Sequence, residues 1–235
     1  MKRICVPILI LTALGLSCAS AQTVTNLADW TFETSVPASA GPFNPEIGSG
    51  SASGSHASGS AVYSNPAGDG SSHSFSSNFW GVNDYYQFST TLDLADFTYS
   101  SFTLSYDQNG SSTGPGTFYL AYSTDGTTYI KFGSDYTLTS GITWNAGTPG
   151  QATIESDDLS SIAALDTAST VYFRLVDDSS TAINGSGVGT SGSDRVDNFS
   201  ISATVVPITP SPEPTTLAFA LLGGVAGILA LQRRK

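Results

Sequence analysis

Several kinds of side chain are scarce in this chain, and each scarcity removes a class of chemistry. There are two cysteines in 235 residues, Cys5 and Cys18, and both fall in an N-terminal segment that reads as removable. What remains can form neither a disulfide framework nor a thiolate nucleophile. Basic residues are nearly as rare: between Gln22 and Ser211 only Lys131, Arg174 and Arg195 stand against eighteen Asp and Glu. A surface so acidic repels a phosphate backbone, which excludes nucleic acid as the expected partner and favours polyvalent cations or neutral glycans. Histidine is limited to His56, in a Gly/Ser tract where it reads as solvated, and His73, at the start of an aromatic strand. With no H-x-E pattern, no G-x-S-x-G and no phosphate loop, zinc and nucleophilic hydrolases lack their parts. Carboxylates do occur in pairs, Asp157-Asp158 and Asp177-Asp178. Neighbours on a strand point to opposite faces, so neither pair supplies the two facing acids of a glycosidase, and they read as turn and cap residues.

Long apolar runs are confined to the two ends. Lys2 and Arg3, then Val6 to Leu16, then Ala19-Ser20-Ala21 have the basic, apolar and small-residue order of a secretory signal peptide. Cys18 follows Gly15-Leu16-Ser17, a poor lipobox, so cleavage after Ala21 is expected. At the other end Thr215 to Leu231 carries no charge and is followed by Arg233, Arg234 and Lys235. That length is at the short end of a bilayer span, and cations stay cytoplasmic, so the body is expected on the far side of the membrane. The implied organisation is a signal peptide helix over 1–21, one folded domain over 22–205, a Pro-rich linker over 206–214, a single transmembrane helix over 215–231 and a basic cytoplasmic tail over 232–235.

The body itself reads as β throughout, because Tyr, Phe, Thr and Val recur in short runs separated by Gly, Asn, Asp and Ser. Expected strands are Thr23 to Phe32, Ala61 to Ser64, Ser72 to Phe79, Tyr85 to Leu92, Ser101 to Gln108, Thr117 to Ser123, Thr128 to Phe132, Gln151 to Glu155, Thr170 to Val176 and Arg195 to Val205. Phe102, Leu104 and Tyr106 share a face, as do Val171, Phe173 and Leu175, and Phe199, Ile201, Ala203 and Val205. Strands with one apolar face imply two sheets packed face to face: an all-β, antiparallel, jelly-roll-like sandwich. Asp125-Gly126 marks a hairpin between two aromatic-rich strands. Ser156 to Asp166 is the one stretch of the body that reads as helical, and Gly48 to Ser60 and Ile183 to Asp194 read as mobile Gly/Ser loops. Solvent-facing aromatics suited to stacking on sugar rings are to be sought among Tyr85, Tyr86, Tyr119, Tyr122, Tyr129, Trp80 and Trp144, about half of which must be core.

Two resemblances add to this reading. Pro212-Glu213-Pro214, an apolar helix and the Arg233-Arg234-Lys235 end together resemble a PEP-CTERM sorting signal. The resemblance covers only about the last twenty-five residues. It implies an exosortase-type processing enzyme as partner, transient residence in the inner membrane, cleavage near the Pro-Glu-Pro and delivery to the cell surface or extracellular matrix. A permanent single-span anchor is the alternative. In the body, the "FE" at Phe32-Glu33 and the "DN" at Asp197-Asn198 resemble those of carbohydrate-binding jelly-roll modules. That likeness implies a structural Ca²⁺ held by Glu33 and Asp197 with backbone carbonyls; the alternative is that Asp197-Asn198 turns or caps an edge. The expected function is non-catalytic binding or organisation of extracellular polysaccharide. A glycan lyase or hydrolase on the same scaffold is the competing class, and an ice-binding or adhesive surface protein a third, although no sustained T-x-T ladder is present.

Overall fold

A computed structural model describes residues 21–150 and 153–208. The signal segment, Pro212-Glu213-Pro214, the apolar run 215–231 and Arg233, Arg234 and Lys235 lie outside the described residues. Among the described residues no helix is long and apolar enough to cross a membrane.

Among the described residues twelve strands form, in chain order β1 (Thr23–Trp30), β2 (Ile47–Gly48), β3 (Ser51–Ser55), β4 (Tyr63–Ser64), β5 (Phe75–Asn78), β6 (Tyr85–Thr91), β7 (Phe97–Gly110), β8 (Thr117–Ser123), β9 (Ile130–Thr137), β10 (Thr153–Asp158), β11 (Thr170–Asp177) and β12 (Ser193–Pro207). They make two antiparallel sheets, as the alternation implies. One runs β3-β6-β11-β8-β9. The other runs β10-β7-β12-β1-β2, with β5 beside the start of β12 and β4 beside β5. The long strand β12 organises this larger sheet: β7 flanks one side, while β5 pairs Ser193 to Val196 and β1 pairs Phe199 to Val205 on the other.

The inward residues of both sheets meet in an aromatic core. Phe88 of β6 stacks on Phe199 of β12 with centroids 3.6 Å apart and planes within 4°. Trp30 meets both rings edge-on at 5.4 and 6.1 Å, and its indole N–H donates to the Phe43 carbonyl at 3.2 Å. Indole burial is thus accompanied by a satisfied donor.

Two sequence expectations fail. The Gly/Ser tract from Gly48 is not a loop throughout: Ser51–Ser55 is β3, paired along its whole length with β6. Its side chains are small, so it supplies backbone hydrogen bonds to a sheet edge without an apolar alternation that a reader could recognise. The stretch Ser156 to Asp166 is not a helix either. Ser156, Asp157 and Asp158 finish β10 against β7, turns follow, and only a 3₁₀ turn, Leu165–Thr167, is helical. Leu159 and Leu165 are buried against the sandwich, so tertiary packing decides the backbone. The second tract, 183–194, is tied down by Gly189 N–H to Thr113 O at 2.9 Å and Ala182 N–H to Ser186 O at 2.7 Å.

Candidate functional site

Period-two alternation in the five-stranded sheet sends Tyr86, Phe88, Phe118, Leu120, Phe173 and Leu175 inward. It leaves Tyr85, Gln87, Tyr119, Tyr172 and Arg174 half-buried on the outer face. Register then brings them together, since Arg174 lies opposite Gln87 on one side and Ala121 on the other. The guanidinium carbon of Arg174 sits 3.8 Å from the Tyr85 ring centroid and 3.4 Å from that of Tyr129, a cation held between two aromatic faces. Arg174 Nε donates to Gln87 Oε1 at 2.9 Å, and Tyr129 O–H donates to the same oxygen at 2.7 Å. One amide therefore fixes both the cation and one of its rings. Beside them Lys131 Nζ lies 4.5 Å from the Tyr119 centroid and is paired with Asp135 and, at 3.5 Å, with Asp178. Tyr85, Tyr119, Tyr129, Lys131 and Arg174, with Asn83, Ala121 and Val176, line a groove of about 260 Å³.

The expected hairpin positions one wall of this groove. Asp125 Oδ1 accepts N–H bonds from Thr127 at 2.8 Å and Thr128 at 2.7 Å and the Ser123 hydroxyl at 2.9 Å, which together hold its carboxyl well below the usual range. Gly126 has φ +72°, and a Cβ there would approach the Tyr172 ring to 3.1 Å. The turn therefore lies against the outer face and delivers Tyr129 to it. Burial raises the pKa of Tyr119 and Tyr129, with Asp178 adding to the first and Arg174 opposing the second, so both phenols stay protonated donors at neutral pH.

The pool of aromatics named from the sequence is now divided. Tyr85, Tyr119 and Tyr129 belong to the outer face. Tyr86, Trp80 and Trp144 are buried, and Tyr122 packs partly against the core. Gln87, Lys131, Tyr172 and Arg174 were not anticipated as site residues; strand parity on β6 and β11 is the signal that could have found them.

His56 is not solvated. It is buried, with Nδ1 3.0 Å from Asp84 Oδ2 and Nε2 2.9 Å from Ser77 Oγ. Burial lowers its pKa against the opposing pull of Asp84. The connectivity is that of a Ser-His-Asp triad, but Ser77 is 1% exposed, and its hydroxyl also meets Tyr86 O–H at 2.8 Å. Tyr86 in turn donates to the Asp194 carbonyl at 2.8 Å. A scissile carbonyl has no approach to that oxygen, which geometry demands before basicity matters. The paired acids also separate: Asp177 is buried while Asp178 is exposed beside Lys131.

Glu33 and Asp197 both hold the segment that crosses the outer face of the larger sheet. Glu33 Oε1 accepts the His73 N–H at 2.7 Å. Asp197, fully buried, accepts Asp69 N–H at 2.9 Å and Ser71 O–H at 2.6 Å on Oδ2, and Asn198 N–H at 2.9 Å on Oδ1. A Cβ on Gly68 would meet Asp197 Oδ2 at 2.1 Å, so the segment passes directly over the carboxylate. Burial raises the Asp197 pKa to about 7 despite these donors. Asn198, at φ +51°, makes the bulge that lets Phe199 re-enter the core face. A calcium shell needs six to eight oxygens turned to one point. Among the described residues no three Asp, Glu, His or Cys side chains form such a group, and donors already occupy both Asp197 oxygens, so this arrangement does not fit the ion.

No family model matches the chain. No curated protein matches it either. Among solved structures, TmCBM61 in complex with β-1,4-galactotriose is similar at 11% identity and TM-score 0.35, over 73% of this chain and 92% of that one. The K1 cleaved adhesin domain of Lys-gingipain from Porphyromonas gingivalis W83 is similar at 15% identity and TM-score 0.40, over 77% and 97%. A family 16 carbohydrate binding module-2 is similar at 10% identity and TM-score 0.29, over 60% and 84%. At such scores the functional reading has to come from this chain's own residues.

Proposed function

We propose that the protein is a non-catalytic, exported polysaccharide-binding protein whose binding face is the outer surface of the five-stranded sheet. The observation that supports this most is the rigid set Tyr85, Arg174 and Tyr129, with Tyr119 across the same groove. Aromatic rings offer flat faces to the C–H side of a pyranose, while Asn83, Lys131 and the Arg174 amino groups supply donors for its hydroxyls. Because Arg174 and Gln87 hold the rings in place beforehand, little side-chain entropy is lost on binding. A glycan array of the full-length chain, repeated with Tyr129→Ala, tests the proposal. Binding to neutral oligosaccharides that drops about tenfold in the variant is expected, the order of one lost stacking contact; an array with no bound glycan would sink it.

Export and sorting rest on the sequence. The signal-like start and the Pro212-Glu213-Pro214 tail support delivery to the outside of the membrane, processing by an exosortase-type enzyme and release to the surface or matrix. Mass spectrometry of the mature C-terminus decides this, because a chain still ending at Lys235 would be a lasting anchor. A hydrolytic reading has one observation in its favour, the Ser77-His56-Asp84 chain. Its test is labelling with a fluorophosphonate, and the burial of Ser77 leads us to expect none.

A further inference from the structure

The larger sheet has a groove of its own on its outer face, with a volume of about 590 Å³, within the range of small-molecule sites. Among the described residues that line it, Arg195 is the only cation. The strand places it there by parity, since Val196 next to it is core and Arg195 pairs with Ser76 of β5. Two contacts orient the guanidinium: one Nη donates to the Ala67 carbonyl at 2.9 Å, and the carbon lies 5.0 Å from the centroid of the buried Trp144 ring. No carboxylate is within ion-pair distance of it among the described residues. Its sequence neighbours Asp194 and Asp197 act on it electrostatically but from beyond ion-pair distance. Asp194 turns inward to accept from Gln108 at 2.9 Å, and the Asp197 oxygens are taken by Asp69, Ser71 and Asn198. A half-buried guanidinium with most of its donor fork unspent is half of a bidentate pair, and a planar oxyanion such as a carboxylate is the matching half.

The rest of the wall narrows the class of ligand. Ser64, Ser112, Thr143 and Ser191 bring hydroxyls, and Val62 and Ile142 bring apolar surface. That mixture matches a sugar ring, with hydroxyls at its rim and C–H bonds on its faces. We infer that this groove is a second ligand site and that it takes a carboxylate-bearing sugar, a single uronic acid residue. The strongly acidic body favours a singly charged group over free sulfate or a phosphate monoester, because each further negative charge adds to the repulsion. The inference goes beyond the tyrosine face and does not rest on it.

The test is titration calorimetry of the full-length chain, purified in detergent, with sodium D-glucuronate, D-glucose and sodium sulfate at matched ionic strength. Glucuronate should bind at least about tenfold more tightly than glucose, the scale of one charge-assisted pair. Arg195→Gln should lose that preference. Ser191→Tyr, at an exposed position on the groove wall, should weaken glucuronate by a similar factor. If Arg195→Gln fails to fold, Ser191→Tyr decides alone. Equal binding of glucose and glucuronate, wild-type affinity in Ser191→Tyr, or sulfate competing as well as glucuronate would each overturn the assignment. Neutral oligosaccharide binding, measured in the same samples, separates failure of the tyrosine face from failure of this groove.

Discussion

The two sheets of the sandwich treat their outer faces in opposite ways. The five-stranded sheet leaves Tyr85, Tyr119, Tyr129 and Tyr172 half-exposed around Arg174. The seven-stranded sheet is crossed by two loop segments, joined where Gly70 N–H donates to Asn145 O at 3.1 Å and Gly150 N–H donates to Asp69 Oδ2 at 2.8 Å. In that junction Trp144 is 3% exposed, and beneath it Asp197 has no exposure at all. An aromatic ring beside an arginine is thus a surface in one place and part of a roof in the other. Neighbouring loops, and not residue type, set the difference, which is why removing a side chain should cost binding where a groove is open and stability beneath the crossing segments.

The largest effect is expected at Asp197. Asp197→Ala removes the acceptor for three donors and leaves buried N–H groups of Asp69 and Asn198 without it, a loss of about 2–3 kcal/mol. For a domain of this size that lowers Tm by about 5–10 °C in a thermal melt. Tyr129→Ala on the open face should stay within about 1 kcal/mol of wild type. Equal losses at the two positions would erase the contrast between the faces.

Arg174→Ala comes next and should read the opposite way. The guanidinium separates Tyr85 from Tyr129 and shares Gln87 with the latter, so its loss frees both rings. Affinity for the bound neutral glycan should fall about tenfold by calorimetry, with Tm little changed. A Tm drop as large as that of Asp197→Ala would mean the tyrosine face is structural.

Legibility in the sequence followed the same division. Where one face is apolar and the other polar, alternation gave the strand: β8 has the expected bounds, Thr117 to Ser123, and β6 and β11 differ from expectation by one residue. β3 was invisible because Ser and Gly carry no apolar period, although each residue of Ser51–Ser55 is in register with one of β6. The open face was half legible. Tyr85, Tyr119 and Tyr129 could be named, but separating them from Tyr86 and Trp80 requires knowing which parity faces the other sheet. Arg174 looked unremarkable because its significance depends on cross-strand register with Gln87 and on a hairpin that returns Tyr129 to it. The covered face was least legible. What surrounds Asp197 comes from residues 68–73, more than a hundred positions earlier, and no local pattern announces a loop that folds back over a strand.

Between the two faces lies a smaller, pH-dependent contribution. Burial, reinforced by Asp84 and Asp178, raises the Asp177 pKa to about 7, and Asp177 Oδ2 has no hydrogen-bond partner. In the unfolded chain an aspartate titrates near 3.9. The native state therefore holds a proton that the unfolded state has released between roughly pH 4 and 7, so stability falls as pH rises through that window. His56 works the other way, since its lowered pKa costs stability as pH falls below 6.5. Asp177→Asn keeps the shape and removes the titration. The Tm difference between variant and wild type should be small at pH 4.5 and grow by a few degrees, about 1 kcal/mol, by pH 7.5. A difference that does not vary with pH would show that Asp177 titrates normally in the folded protein.

Calcium should have the smallest effect of all, and it bears directly on how the covered face is held. The segment over Asp197 is anchored by N–H and O–H donors pointing at the carboxylate, and Glu33 receives the His73 N–H in the same manner. A cation at those oxygens would have to turn several peptide N–H groups away from them, exchanging formed hydrogen bonds for coordination. Thermal melts with 5 mM CaCl₂ and with chelator, conditions on the order of 1,000 times a micromolar Kd for the calcium arm, should therefore agree within about a degree. A clear rise in Tm with calcium, lost in Asp197→Ala, would mean that the loop rearranges around the ion and that the hydrogen-bonded roof is only one of its two states.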